Sequence, residues 1–222
     1  MSLWDLPTRL FHWALALAVT AALVTGSLAG PWLEWHLVCG LTILWLLVFR
    51  LVWGFLGNTY ARFAQFWPTP RRLRDYFAGR WQQPGHTPLG ALSVLAMLAM
   101  LSLQVGLGLF SRDETGFRGP LSGWLGSSAA AEVTAWHHLV AGLVLLLVLL
   151  HLAAILFYRL VRGRDLVTPM ITGRLPTAHG TGAQSGQRLL LLLAVVLASA
   201  VVVLVLYLQP APVVVTEPLP AW

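Results

Sequence analysis

Five stretches of the chain are almost continuously apolar: residues 10–29, 35–56, 88–110, 136–158 and 189–208. Each is close to the roughly 20 residues that carry a helix across a bilayer core. Polar and charged residues collect between them. The pattern predicts an all-α integral membrane protein with five transmembrane helices. The first stretch has the look of a signal peptide, but His12 inside it belongs to a constellation described below, so it is expected to be retained.

Composition agrees. Hydrophobic residues make up 58% of the chain and charged residues 10%, against roughly 25% charged in a soluble domain. There is too little polar surface to dress a globule in water, so the bilayer is the solvent. The net charge is +6 and all 14 basic residues are arginine. They lie between the apolar runs, which points to membrane orientation rather than nucleic acid. The single cysteine, Cys39, excludes an intrachain disulfide and a cysteine-ligated cluster; inside an apolar run it reads as a small core residue.

The arginines orient the bundle. With the N-terminus cytoplasmic, twelve of the fourteen fall on the cytoplasmic side, leaving Arg112 and Arg118 outside beside Asp113, Glu114 and Glu132. This is a strong positive-inside bias. The cytoplasmic loop 59–87 mixes Arg with Phe63, Phe66, Trp67, Tyr76, Phe77 and Trp81, a composition suited to lying along the membrane surface. The C-terminus falls outside, in a tail with Pro210, Pro212, Pro218 and Pro220 that is expected to be extended.

Of seven histidines, His12, His36, His137 and His151 lie at matched depths in the apolar runs. An ionisable side chain there is a functional candidate by default. His137 and His151 are 14 residues apart, which returns the side chain to within about 40° of one helix face after a rise of roughly 21 Å. His138 lies about 140° from His151 around the helix and is the poorer ligand. Depth pairs His36 with His137 near the outer surface, and His12 with His151 near the inner one. Two imidazoles per site, trans across a planar macrocycle, suit haem iron; zinc would want four ligands. No CxxCH occurs in the chain, so the haem is expected to be non-covalent, of the b type.

Arg50 follows His36 by 14 residues and Arg9 precedes His12 by three, so each shares a face with its histidine. They can pair with propionates of the inner haem, or snorkel as ordinary arginines at helix ends. Gly40 and Ala141 lie four residues after His36 and His137, where small side chains let a flat macrocycle approach the backbone. His86, in GHTPLG before the third apolar run, is a candidate with Arg9 to line a quinone pocket on the cytoplasmic side. Trp32, Trp35 and Trp124 mark the other place for one. His179 reads as a solvated loop residue.

WDLPTRLFHW (4–13), FRLVWGFLGNTYARF (49–63), GHTPLGAL (85–92), WHHLVAGLVLLLVLLH (136–151) and DLVTPMITGR (165–174) together resemble the bacterial cytochrome b561 proteins and the cytochrome b subunits of nickel–iron hydrogenases. Formate dehydrogenase gamma subunits are similar in plan. The resemblance covers about residues 3–174. It implies a four-helix transmembrane bundle holding two b haems, with ligands falling on His12, His36, His137 and His151. It also implies electron exchange between a membrane quinone and a periplasmic partner. This chain has His137-His138 where the family often has His-Glu, and its fifth helix and tail lie beyond the resemblance. Residues 1–174 are therefore expected to form the dihaem domain, and 175–222 a linker, a fifth helix and a periplasmic tail.

The expected function is a dihaem cytochrome b of the bacterial inner membrane, passing electrons between the quinone pool and a periplasmic hydrogenase, dehydrogenase or cytochrome c. Within the same chemistry the runner-up is a self-contained superoxide:ubiquinone oxidoreductase. A haem-free membrane anchor or transporter subunit is the competitor from another class.

Overall fold

The structure, a computed structural model, describes residues 3–83, 85–113, 117–174 and 188–210. The tail beyond Pro210 and the loop holding His179 lie outside the described residues, as does Glu114.

Each long helix has a local reason to start where it does. Helix α1 (Leu6–Leu28) begins at Asp5, whose carboxylate accepts the Thr8 amide at 2.8 Å, with Pro7 in the first turn. A side-chain N-cap and an early proline together satisfy and pre-shape the helix start. Helix α2 (Leu33–Leu56) follows a tight turn at Ala29 and Gly30. In the next loop α3 (Phe63–Phe66) and α4 (Pro70–Phe77) are short. Helix α5 (Pro88–Phe110) starts as α1 does, with Thr87 capping the Gly90 amide at 3.1 Å ahead of Pro88. Helix α6 (Ser127–Leu160) is followed by the short α7 (Val167–Thr172), and α8 (Arg188–Tyr207) is the last.

Among the described residues five helices are long and apolar enough to cross a membrane: α1, α2, α5, α6 and α8. Their bounds lie close to the apolar stretches except at α6, which begins nine residues before residue 136. The extra turns run through Ala129, Ala130 and Ala131. Alanine is the best helix former but only mildly apolar, so hydropathy does not register them.

Helix α2 is the centre of the bundle. It packs on α1, α5 and α8, while α6 packs chiefly on α5. Ile43, Leu46, Leu47, Phe49 and Trp53 of α2 are all buried. Outward-facing leucines stay open, Leu17 at 73% exposure and Leu160 at 72%, as lipid solvation of an all-round apolar helix requires. Helix α8 lies against α2 through Ala194 and Ala198, both fully buried, and the Trp45 indole donates to Ser199 Oγ at 3.1 Å. Small residues at i and i+4 allow this close approach. At its far end the Trp124 indole donates to the Leu208 carbonyl at 2.9 Å, tying α8 to the loop between α5 and α6.

The N-terminal segment is held at the opposite, arginine-rich end. The Leu3 amide donates to the Gly173 carbonyl at 2.7 Å, and an Arg9 guanidinium nitrogen donates to the Ile171 carbonyl. Motifs WDLPTR and DLVTPMITGR are therefore two halves of one clasp beside α1. The Asp5 carboxylate knots this end further, accepting Trp53 Nε1 at 3.1 Å and Asn58 Nδ2 at 2.7 Å. That single acid ties together the N-cap, the end of α2 and the loop after it.

Candidate functional site

The structure brings the four histidines together in two pairs. The His36 and His137 ring centres are 6.0 Å apart, and those of His12 and His151 are 6.5 Å apart. Bonds of about 2 Å from each imidazole nitrogen to a shared metal would place trans ring centres about 6 Å apart. Both pairs have that spacing. His138 is exposed on α6 with its ring centre 6.1 Å from that of the adjacent His137, but among the described residues it meets no histidine of another helix. Among the described residues no three of His, Cys, Asp or Glu converge as metal ligands, so a tetrahedral four-ligand site has no donors.

The outer pair is seated in a way the sequence did not announce. His36 Nδ1 lies 2.8 Å from the Ala22 carbonyl of α1, and His137 Nδ1 lies 3.1 Å from the Gln104 carbonyl of α5. With the Nδ1–H donating to a backbone oxygen, the tautomer and ring plane are set and Nε2 is left for a metal. Each imidazole also rests on the glycine four residues further along the same helix. A Cβ on Gly26 would come 2.9 Å from His36 Nδ1, and one on Gly108 would come 3.0 Å from His137 Cε1. The two helical hairpins α1–α2 and α5–α6 thus repeat one device: a glycine opens the surface and the carbonyl of the preceding turn accepts the hydrogen bond.

Gln104 is the other residue that hydropathy alone does not single out. Its side-chain Nε2 lies 3.3 Å from His137 Nε2, and its Oε1 is buried without a partner. The only available signal was an amide inside an apolar run, which membrane helices rarely carry without use. At the inner pair the His12 Nδ1 is likewise buried and unpaired. Such an orphaned imidazole nitrogen suits a side chain whose partner is a bound group. No Cβ contact would arise at Gly40, so the face of α2 there is open. Paired imidazoles at this spacing, unpaired polar atoms and an open small-residue face all fit two planar macrocycles.

Arg50 is buried at 3% exposure. Its guanidinium donates to the Ala61 carbonyl at 3.0 Å and lies over the Phe63 ring at 4.8 Å from its centre. Asp5 attracts it electrostatically, yet no ion pair joins them, so the cation is left with charge to offer. Arg9 is tied to α7 by one nitrogen, and its Nε is buried without a partner. His86 packs against Trp4, with ring centres 4.7 Å apart, and against Phe66 at 4.4 Å. Burial pushes its pKa down to about 3, with Arg50 adding to the shift. It is therefore neutral at any physiological pH. No hydrogen bond joins Arg9 to His86 among the described residues: His86 rests on Trp4 and Phe66, and Arg9 is held by the Ile171 carbonyl. The tryptophans of the opposite end, Trp32, Trp35 and Trp124, are exposed.

The family described as "Prokaryotic cytochrome b561" matches residues 3–173. Similar curated proteins share the name "Probable Ni/Fe-hydrogenase B-type cytochrome subunit". That of Bradyrhizobium diazoefficiens is 22% identical, over 77% of this chain and 83% of its own length. Those of Rhizobium leguminosarum bv. viciae and Azotobacter vinelandii are 23% and 24% identical, each over 77% of this chain and 86% of their own length. No solved structure is significantly similar. With five apolar helices and a family match over most of its length, the chain belongs to the prokaryotic cytochrome b561 family and is a multi-pass, haem b-binding membrane protein of electron transfer.

Proposed function

We propose that this chain is a dihaem cytochrome of the bacterial inner membrane, carrying electrons between the quinone pool and a periplasmic hydrogenase. The observation that carries the reading is the two imidazole pairs, with ring centres 6.0 and 6.5 Å apart, set roughly 21 Å apart along α6. Haem b bound at each pair would supply a one-electron carrier near each membrane surface. The names of the relatives favour a hydrogenase over the other periplasmic partners. Orientation rests on the arginines, which place the N-terminus and the His12–His151 pair on the cytoplasmic side and the C-terminus outside.

The protein's own part is to hold four imidazoles, fix the tautomers of His36 and His137 and offer cations to the carboxylates of the bound group. His36 and His137 turn Nε2 toward the site by donating from Nδ1, and the Gln104 amide, 3.3 Å from His137 Nε2, would have to give way to a bound group. Arg50 and Arg9, each with unspent hydrogen-bonding or charge, would neutralise propionates of the inner haem. Pyridine haemochrome analysis against protein concentration is expected to give two haems b per chain. A ratio of one would remove one of the two sites.

The quinone site belongs on the same cytoplasmic side, with His86 and Arg9 as its polar lining. His86 lies against the rings of Trp4 and Phe66, and a polar group on aromatic walls suits a small-molecule site. Because its pKa lies near 3, His86 would bind quinone as a neutral donor or acceptor rather than deliver a proton as imidazolium. Losing one such hydrogen bond costs about 1 kcal/mol, so His86→Ala should weaken the apparent quinone affinity about fivefold. The wild-type rate should show no step between pH 5 and 8 that the alanine variant lacks. Unchanged quinone-dependent haem reoxidation in the variant would move the search to Trp32, Trp35 and Trp124.

A further inference from the structure

Where α6 leaves the apolar layer, the chain builds a pocket that haem ligation does not use. Helix α6 has 34 residues, about 51 Å of helix against a hydrocarbon core of about 30 Å. The apolar stretch ends at residue 158 and Arg159 follows it, so the end of α6 stands among lipid headgroups. Gly163 has φ +60°, a left-handed conformation that side chains other than glycine resist. It turns the chain back so that the Arg164 amide donates to the Tyr158 carbonyl at 2.9 Å. Arg162 and Arg164 are thereby brought beside the aromatic end of the helix.

Opposite them stands the end of α4. The Tyr76 and Tyr158 hydroxyls are 2.5 Å apart. Between these elements lies a cavity of about 390 Å³, with Phe77, Trp81 and Phe157 as its aromatic walls and the two arginines at its rim. Three observations describe what it would take. First, no carboxylate lines it, and neither Arg162 nor Arg164 has an ion pair among the described residues, where the only one joins Arg80 to Asp75. Two cations are left without an anion. Second, the Trp81 indole nitrogen is buried with no hydrogen-bond partner, a donor lacking its acceptor. The tyrosine pair has a further O–H to offer, since one hydroxyl donates to the other and the second hydrogen is free. Third, the walls are apolar and open toward lipid: Phe77 is 71% and Phe157 51% exposed, and Leu150, seven residues before Phe157 on one face of α6, is exposed as well.

An occupant therefore needs an anionic head rich in acceptors and a hydrocarbon body that runs down the helix. We propose that this pocket binds one anionic phospholipid. Its phosphate would be held by the Arg162 and Arg164 guanidiniums and the Trp81 indole N–H, and an acyl chain would lie along Phe157 and Leu150. Guanidinium forks match phosphate oxygens, and basic pockets at the cytoplasmic ends of membrane helices suit anionic headgroups. The uncompensated charge selects an anionic lipid over a zwitterionic one, whose own cation would meet the two arginines. The apolar walls select a lipid over a soluble phosphate.

The test is native mass spectrometry of the haem-loaded protein in detergent, titrated with dioleoylphosphatidylglycerol or dioleoylphosphatidylcholine. One phosphatidylglycerol per chain should bind about tenfold or more tightly than phosphatidylcholine, and a double Arg162→Gln, Arg164→Gln variant should lose that preference with its haem-to-protein ratio unchanged. Trp81→Phe, which keeps the ring and removes the N–H, should weaken retention on its own, and Arg162→Lys with Arg164→Lys should restore part of it. Equal binding of the two lipids, or unchanged binding in the Gln variant, overturns the proposal. So does competition by glycerol 3-phosphate, which carries the headgroup charge without acyl chains. Loss of haem from the Gln variant with lipid binding intact would reassign the arginines to a haem propionate.

Discussion

Alanine in place of His12 is expected to remove the same haem spectral component as alanine in place of His151, and alanine at His36 the same component as at His137. The reason is spatial. His12 opens α1 and His151 lies near the end of α6, 139 residues away, yet their rings stand 6.5 Å apart. His36 and His137 stand 6.0 Å apart at the other end. Each pair would hold one haem, and a non-covalent b haem that loses one of its two imidazoles is expected to leave. Each single variant should therefore fall from two haems per chain to one, and low-temperature spectra of the reduced protein should assign the survivor. The double variants are informative as well. His12→Ala with His151→Ala should keep one haem, whereas His12→Ala with His137→Ala should keep none. His138→Ala should keep both, because His138 lies exposed on α6 and neither His36 nor His12 stands opposite it. A common component lost by His12→Ala and His137→Ala would mean that the helices are threaded differently.

The second large effect concerns two glycines that carry no chemistry of their own. Leucine at Gly26 or Gly108 is expected to eliminate the outer haem and spare the inner one. A Cβ alone would come 2.9 Å from His36 Nδ1 at Gly26 and 3.0 Å from His137 Cε1 at Gly108. The imidazole cannot simply retreat, because its Nδ1 bonds the Ala22 carbonyl in one case and the Gln104 carbonyl in the other. Overpacking of this kind costs about 1–3 kcal/mol, which is a factor of roughly 5 to 150 against the ligating ring position. Alanine should give a smaller version of the same defect, seen first as a shift in the outer haem's potential. Gly142→Ala, where a Cβ meets nothing within 4 Å, is the matched control and should leave both haems unchanged. If Gly108→Leu kept two haems at unaltered potentials, the close seat of His137 would have no bearing on ligation.

These two predictions draw on different kinds of information. The histidine pairing follows from counting residues along apolar segments, because helical rise is constant and a bilayer puts all five helices in one frame. The glycine seats do not follow from counting. Neither Gly26 nor Gly108 stands out among 20 glycines, many of them in apolar runs where small residues are common. Their role appears only when the distance from α1 to α2, and from α5 to α6, is known. Gln104 occupies an intermediate position: an amide in a membrane span invites attention, but its target, His137, lies 33 residues away on another helix.

The sequence by itself determined the solvent, the number of spans and the depths of the four histidines, since hydropathy and the 3.6-residue period are local properties. It also determined the bounds of α5, since the apolar stretch 88–110 coincides with Pro88–Phe110. Only the tertiary structure decided the rest. It extended α6 through Ala129–Ala131, where helix propensity acts without hydropathy. It closed the N-terminal segment on α7 through Gly173 and drew Asp5, Trp53 and Asn58 into one knot, contacts that span from 48 to 170 residues of chain. It laid α8 on α2 through Ala194 and Ala198, and turned Arg162 and Arg164 toward the tyrosines. Each of these depends on which surfaces meet, and that is set by shape and hydrogen-bond pairing between distant segments rather than by any pattern within one of them.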